Sequence, residues 1–221
     1  MKILVFGDTH GDIRSLEEAK RKASKVDLTI CLGDLTYFGE NIELLLQYLE
    51  SFPTKVVLLH GNHEDEELLE ELSKSFKNIK FSHGEVLQIN DFFFITYGGD
   101  GFSRIDPFFD ELTNEISAKI SEPEKSILIL HGPPFDTELD APMKDYHSGN
   151  VSYRFFIEQF QPLISFSGHI HETFKKKDKI GETHLLNPGP DGEIIDLKEL
   201  LNKRKEIISK KINKKRIKNK N

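Results

Sequence analysis

The sequence predicts an α/β fold in which parallel strands are joined by crossover helices. Three observations predict it. Short apolar runs that read as buried strands recur along the chain: Ile3-Leu4-Val5-Phe6, Leu28 to Leu32, Val56 to Leu59, Ile127 to Leu130 and Leu163 to Phe166. Segments with helical spacing lie between the first of these runs, and strand–helix alternation at this interval argues for crossovers. Each run also ends at carboxylate, imidazole or carboxamide groups: Asp8-Thr9-His10, Gly33-Asp34, Gly61-Asn62-His63-Glu64, His131 and Gly168-His169-Ile170-His171. Ligands of open α/β sheets bind just outside those strand ends, so five distant motifs can meet in one place.

Taken in order, Asp12 is placed to cap a helix running to Ala23, with Ile13, Leu16 and Ala19 on its apolar face. Asn41 to Leu49 and Asp65 to Phe76 read as the next helices. Ile79 to Phe81, Val86 to Ile89 and Phe92 to Tyr97 read as short strands that include a hairpin, so a second region of sheet is expected to begin at Ile79. Pro107 to Ile120 is expected to be helical. Gly132 to Gly149 has no periodicity and reads as a long loop. Asn150 caps an expected helix from Val151 to Phe160, Thr183 to Leu186 and Glu193 to Leu197 read as strands, and helical spacing resumes from Leu200.

With 221 residues and 37% hydrophobic content, the chain can bury one sizeable core. We read a single domain over residues 1–199 and a basic, partly helical tail over 200–221. Ten Lys or Arg against one acidic residue from Lys203 to Asn221 give the tail +9; the formal charge of −7 then leaves −16 for the body. An acidic body repels nucleic acid, which could be attracted only through the tail. No apolar run reaches the length of a membrane span and no signal pattern precedes the first strand, so the expected location is cytoplasmic. The single cysteine, Cys31, excludes an intrachain disulfide and is expected to be buried and inert.

Asp8 and His10, separated by one residue on an extended turn, project to the same side and can share a cation. His169 and His171 repeat that spacing. With Asp34, Asn62 and His131 they make seven candidate ligands, too many for one tetrahedral ion. They fit two ions of five or six coordination if one carboxylate bridges, and the mix of N and O donors without thiolate suits Mn²⁺, Fe, Zn²⁺ or Ni²⁺. His147 stands before a helix N-terminus, where backbone amides favour anions; it and Asn150 are the candidate substrate contacts. Asp136, Thr137 and Asp140 either stiffen the long loop or touch substrate. His60 and His184 in strands and His83 in a turn are expected to be structural.

The ordered set Asp8-x-His10, Gly33-Asp34, Gly61-Asn62-His63-Glu64, His131 and Gly168-His169-x-His171 resembles the signature of the calcineurin-like metallophosphoesterase superfamily, with a weaker match at Asn187-Pro188-Gly189. The resemblance implies a four-layer αββα sandwich, two mixed β-sheets flanked by helices, with a di-metal site at one end. It implies Asp8, His10 and His171 on one ion, Asn62, His131 and His169 on the other, and Asp34 bridging. Mn²⁺ is the leading expectation for both. His63 is then no ligand but lies near the scissile phosphate, and the implied reaction is hydrolysis of a phosphate mono- or diester by a metal-bridging hydroxide, with His63 as proton donor or electrostatic partner. A nuclease of the same superfamily and a catalytically silent binding scaffold of this fold are the alternative readings.

Overall fold

The computed structural model describes residues 1–99 and 101–218, with side chains through Lys211. Asp100 and the end of the basic tail lie outside the described residues. In chain order the elements are β1 (Lys2–Phe6), α1 (Ile13–Ala23), β2 (Leu28–Cys31), α2 (Ile42–Glu50), β3 (Val56–Leu58), α3 (Glu66–Ser73), β4 (Ile79–Phe81), β5 (Glu85–Ile89) and β6 (Phe92–Tyr97). There follow α4 (Pro107–Lys119), β7 (Ser126–Leu130), α5 (Val151–Phe160), β8 (Ile164–Phe166), β9 (Lys177–Ile180), β10 (Thr183–Leu186), β11 (Glu193–Asp196) and α6 (Leu197–Lys218).

Among the described residues these strands form two mixed sheets, ordered β11-β1-β2-β3-β4 and β5-β6-β7-β8-β10-β9. β1 to β4 are parallel and β11 runs against β1; in the second sheet β6, β7, β8 and β10 are parallel between antiparallel partners. Alternation along each strand decides the layers. Ile3, Val5, Ile30 and Val57 point inward to meet Phe92, Phe94, Ile127, Ile129 and Phe166 of the other sheet. Leu4, Phe6, Val56 and Leu58 point the other way, onto Leu16 and Ala19 of α1, Leu45 and Leu49 of α2 and Leu69 of α3. Ile95, Leu128 and Leu130 likewise pack against Phe109 and Ile116 of α4 and Phe156 and Ile157 of α5. Three apolar clusters thus separate four layers, helices, sheet, sheet and helices, the αββα sandwich. Each fully buried Leu, Ile or Phe contributes about 1.5–3 kcal/mol.

Several elements depart from the sequence expectations. The second sheet begins at Glu85, not Ile79: β4 pairs in parallel with β3, Val57 opposite Lys80, and ends the first sheet. A three-residue strand has too short a pattern to announce its sheet. The chain crosses between sheets at Ser82-His83-Gly84, where Gly84 takes φ +64° and its N–H donates to Thr96 O at 2.9 Å. α3 stops at Ser73 because the N–H groups of Lys74, Ser75 and Phe76 reach carbonyls only three residues back. β9 was not expected, since Lys177-Asp178-Lys179 carries the charge of an edge strand rather than an apolar run. α6 starts at Leu197, whose side chain joins Leu201 in the inter-sheet cluster. Arg204 is buried, donating to the carbonyls of Pro162 at 2.8 Å and Gln161 at 2.9 Å. Among the described residues no helix is long and apolar enough to cross a membrane.

Candidate metal centre

The C-terminal ends of β1, β2, β3, β7 and β8 deliver the motif residues to one place. Four of these residues, Asp8 (φ 55°), His10 (φ 45°), Asp34 (φ 48°) and His169 (φ 67°), adopt left-handed backbone that non-glycine residues rarely take. Neighbouring loops hold them there: Asp8 N donates to Gly33 O at 3.0 Å, His10 N to Asp34 O at 3.0 Å, and Gly168 N to His131 O at 2.8 Å. Two glycines are required by close approach. A Cβ at Gly61 would stand 2.6 Å from Cε1 of His131 and nearer still to Asp34 Oδ1, and one at Gly168 would collide with the Asp8 carboxylate.

Donor atoms gather in overlapping sets, Asp8 with His10 and His171, Asp34 with His131 and His169, and His10 with Asp34 and His63; within each set they lie within 4.8 Å of one another. Asn62 joins the second set, its Oδ1 lying 3.2 Å from His131 Nε2 and 2.9 Å from His169 Nδ1. Oδ2 of Asp34 stands between the groups, 3.7 Å from His10 Nε2 and 3.6 Å from His131 Nε2. All seven candidate ligands are therefore together, with His63 beside them.

Whether this donor set suits cations can be tested on its chemistry. His10 Nδ1 lies 3.1 Å from Thr36 O and His131 Nδ1 lies 3.0 Å from Leu32 O, so each ring donates its Nδ1–H to a carbonyl and turns a bare Nε2 into the centre. His131 Nε2 then faces the carboxamide oxygen of Asn62, acceptor against acceptor. Oδ2 of Asp8 is buried and has no hydrogen-bond partner, while Oδ1 accepts from His169 N at 2.8 Å. Burial raises Asp8 to about 7 and Asp34 to about 8, with Glu64 adding to both through its like charge. Burial, helped by His63 and His171, lowers His10 to about 4, and burial holds His131 well below the usual histidine range. Lone pairs and carboxylates lacking a positive counterpart are what divalent ions satisfy, so the residues fit a metal centre.

His63 is oriented differently. Its Nδ1 accepts the backbone N–H of Phe38 at 3.2 Å, which leaves the proton on Nε2. Its ring packs 4.4 Å from that of His10.

Sequence reasoning missed Glu64 and the aromatic rim. The buried Glu64 carboxylate accepts from Asp34 N (2.9 Å), Gly61 N (3.0 Å), Thr36 N (2.8 Å) and Thr36 Oγ1 (2.8 Å), tying the loop after β2 to the loop after β3. Its place in Gly61-Asn62-His63-Glu64 was the available signal. Tyr37, Phe38 and Phe102 are 55%, 67% and 71% exposed, yet each contacts a centre histidine: His10, His63 and His169 respectively. An aromatic pair inside the loop after Gly33-Asp34 could have suggested the first two.

The substrate-contact expectations fare unevenly. Asn150 is buried, its Oδ1 capping α5 through Tyr153 N and its Nδ2 donating to Ser103 O at 2.7 Å, so both ends of its carboxamide are engaged within the fold. His147 is partly exposed and held by Asp140, whose carboxylate lies 2.7 Å from Nδ1 and raises the imidazole pKa. Asp140 itself is fully buried and accepts the N–H groups of Asp136, Thr137 and Gly149, so it stiffens the long loop from within. Cys31 is buried, and burial pushes its thiol pKa up.

A strand-end centre of histidines and aspartates on an αββα sandwich defines the class of metallophosphoesterases. The chain belongs to the calcineurin-like phosphoesterase family, whose model matches residues 1–173. It is 32% identical over 200 residues to an uncharacterized protein of Methanocaldococcus jannaschii, covering 86% of this chain and 88% of that one. Among solved structures, one from Thermus thermophilus superposes with a TM-score of 0.66 at 13% identity, covering 90% of this chain and 95% of that chain. The phosphopantetheinyl hydrolase of Mycobacterium tuberculosis does so with a TM-score of 0.57 at 12% identity, covering 85% and 88%. At these identities the solved structures share the fold.

Proposed function

We propose that the chain is a di-metal-dependent phosphoesterase that hydrolyses a phosphate mono- or diester. The observation that supports this most is the pairing of two donor sets across one carboxylate, Asp34, with a histidine beside them whose proton is left on Nε2. Asp8, His10 and His171 would hold one ion, Asn62, His131 and His169 the other, and Asp34 both, with Mn²⁺ the leading choice. Two such ions supply a water of lowered pKa and positive charge for the phosphoryl oxygens. The bridging role is supported by Asp34 Oδ2, which stands 3.7 Å from His10 Nε2 and 3.6 Å from His131 Nε2, while Oδ1 accepts the N–H of His63 at 3.0 Å. The same hydrogen bond carries His63 with the centre, and the bond from Phe38 N keeps Nε2–H available to a departing oxygen.

The test uses leaving-group basicity. An alkoxide needs a proton on departure and a nitrophenolate does not, and a general acid contributes about 10²–10⁴ in rate. His63→Gln should keep its metals, slow hydrolysis of an alkyl phosphoester by a factor in that range, and slow the nitrophenyl ester far less. Equal losses on both esters would reassign His63 to stabilising the phosphoryl oxygens. A metal-loaded wild type that hydrolyses neither ester would favour the binding scaffold.

A further inference from the structure

Beyond the seven-residue centre the structure brings together a second group of ligating side chains, His60, Glu66 and His83. They come from one β-α-β unit. His60 follows β3, Glu66 is the first residue of α3 and His83 follows β4, so the three meet where that unit turns over the sheet edge. His60 is only two residues from Asn62, but its ring faces away from the centre, against His83 and the backbone of Gly98. A Cβ at Gly98 would lie 2.8 Å from Nε2 of His60, so the absence of a side chain there makes room for the imidazole. The cluster opens on a cavity of about 590 Å³ that Tyr97 and Asp106 also line, which gives an ion a way in from solvent.

The hydrogen-bond geometry of the cluster turns two ring nitrogens toward each other. His60 Nδ1 lies 3.3 Å from Gly61 O and is oriented to donate to it, leaving Nε2 bare. His83 Nδ1 accepts the N–H of Gly98 at 3.1 Å and therefore carries no proton. These two nitrogens face each other at 3.2 Å. Glu66 brings a carboxylate to the same cluster: Oε2 stands 3.5 Å from His60 Nε2, Oε1 stands 3.9 Å from the other ring nitrogen of His83, Nε2, and one donor atom from each of the three residues lies within 4.8 Å of the others. Donors about 3.3 Å apart are what a tetrahedral ion with bonds of about 2.0–2.1 Å holds.

We propose that His60, Glu66 and His83 form a separate, mononuclear transition-metal site of the Zn²⁺ class, with a fourth position open to the cavity. Two imidazoles and one carboxylate select Zn²⁺, Co²⁺ or Ni²⁺ over Mg²⁺ or Ca²⁺. The Gly98 N–H competes for the His83 lone pair, so this ion leaves to a chelator before those of the centre.

The experiment strips the full chain with chelator, dialyses it to equilibrium against Zn²⁺ with a weak competing chelator, and counts metal by elemental analysis. Wild type is compared with Glu66→Gln, His83→Gln and the double variant, all of which spare the buried His60. The expected result is one Zn²⁺ fewer per chain in the double variant than in wild type, whatever number the centre itself holds. That difference separates this site from the di-metal reading: if the centre bound nothing, wild type would still hold one ion and the double variant none. In an Asp34→Asn background, Co²⁺ should give a visible absorption band that His83→Gln weakens by the share of one ion. Equal Zn²⁺ content in wild type and the double variant, as follows if the two histidines merely share a proton, would overturn the proposal, as would a Co²⁺ band unaffected by His83→Gln.

Discussion

Glu64 offers the sharpest energetic test of how the centre is held. Replacing it with Gln keeps the shape and removes the charge, and the four hydrogen bonds it accepts say what must follow. If the carboxamide oxygen takes the place of Oε1, the NH₂ group confronts the N–H groups of both Asp34 and Gly61. If it takes the place of Oε2, the Thr36 hydroxyl can turn to accept from NH₂ and only Thr36 N–H is stranded. The second arrangement is therefore favoured. One unsatisfied buried donor costs about 1–3 kcal/mol, and the two surviving bonds each lose about 1 kcal/mol on becoming neutral. Against this, removing Glu64 relieves its repulsion of Asp8 and Asp34, an offset of about 1 kcal/mol at the effective dielectric of protein sites. The net prediction for Glu64→Gln is a loss of about 3 kcal/mol in the metal-free protein, with Glu64→Ala losing more because it strands the N–H groups of Asp34, Gly61 and Thr36, the Thr36 hydroxyl alone keeping an acceptor in His63 O. Urea unfolding in chelator, read by circular dichroism, measures it. The reasoning also requires the pKa of Asp8 and Asp34 to fall in Glu64→Gln, which carboxyl ¹³C shifts would follow. An unfolding free energy within 0.5 kcal/mol of wild type, or unmoved carboxyl titrations, would refute it.

Two further predictions concern the same carboxylates. Asp34→Asn should hold well under two metals per chain by elemental analysis, since a neutral amide does not bridge cations as a carboxylate does, and full retention of two would show Asp34 to be misassigned. The metal-free protein should lose stability as pH rises from about 6.5 to about 8. Asp8 and Asp34 keep protons to about 7 and about 8 when folded but release them near 3.8 when unfolded, so the folded state binds more protons and the stability slope is negative. Below about 6.5 the buried imidazoles of His10 and His131 oppose this, because they refuse protons that the unfolded chain accepts. Saturating Mn²⁺ should reverse the trend, and urea midpoints at pH 6.5 and 8 with and without metal are the check; a metal-free midpoint that rises with pH would contradict the assignment of either carboxylate.

Much of the architecture was legible because the residues that build it act locally. The caps at Asp12, Asp65 and Asn150 accept backbone N–H groups within three residues, and the apolar runs declare their strands by composition alone. What could not be read depends on partners far along the chain. β4 belongs to the first sheet because of its neighbour β3, and nothing within Ile79-Lys80-Phe81 records that choice. Glu64 reaches Asp34 and Thr36 across about thirty residues by bonds to backbone, which leave no residue-type pattern at the receiving end. Asn150 was legible as a helix cap, but its second bond, from Nδ2 to Ser103 O nearly fifty residues earlier, leaves no signal in the sequence around it. The seven clustered donors were legible by contrast because strand ends of one α/β sandwich converge, so order along the chain predicts proximity.

The centre also explains why the rest of the fold is so regular. Left-handed backbone at Asp8, His10, Asp34 and His169 costs on the order of 1–3 kcal/mol at each residue. The unpartnered Asp8 oxygen and the mutual repulsion of Asp8, Asp34 and Glu64 act in the same unfavourable direction. None of this stabilises a metal-free chain, and all of it favours a state in which cations sit among the donors. Such a site can persist only where other contacts over-determine the backbone. Three apolar clusters in separate layers supply them, and each of the five converging strands is pinned on both edges by hydrogen-bonded neighbours. Stability and chemistry are therefore divided along each strand, with apolar side chains in its body and strained polar ones just past its end. The division is also why substitutions in the loops should alter metal content and pH response while leaving the strand framework intact.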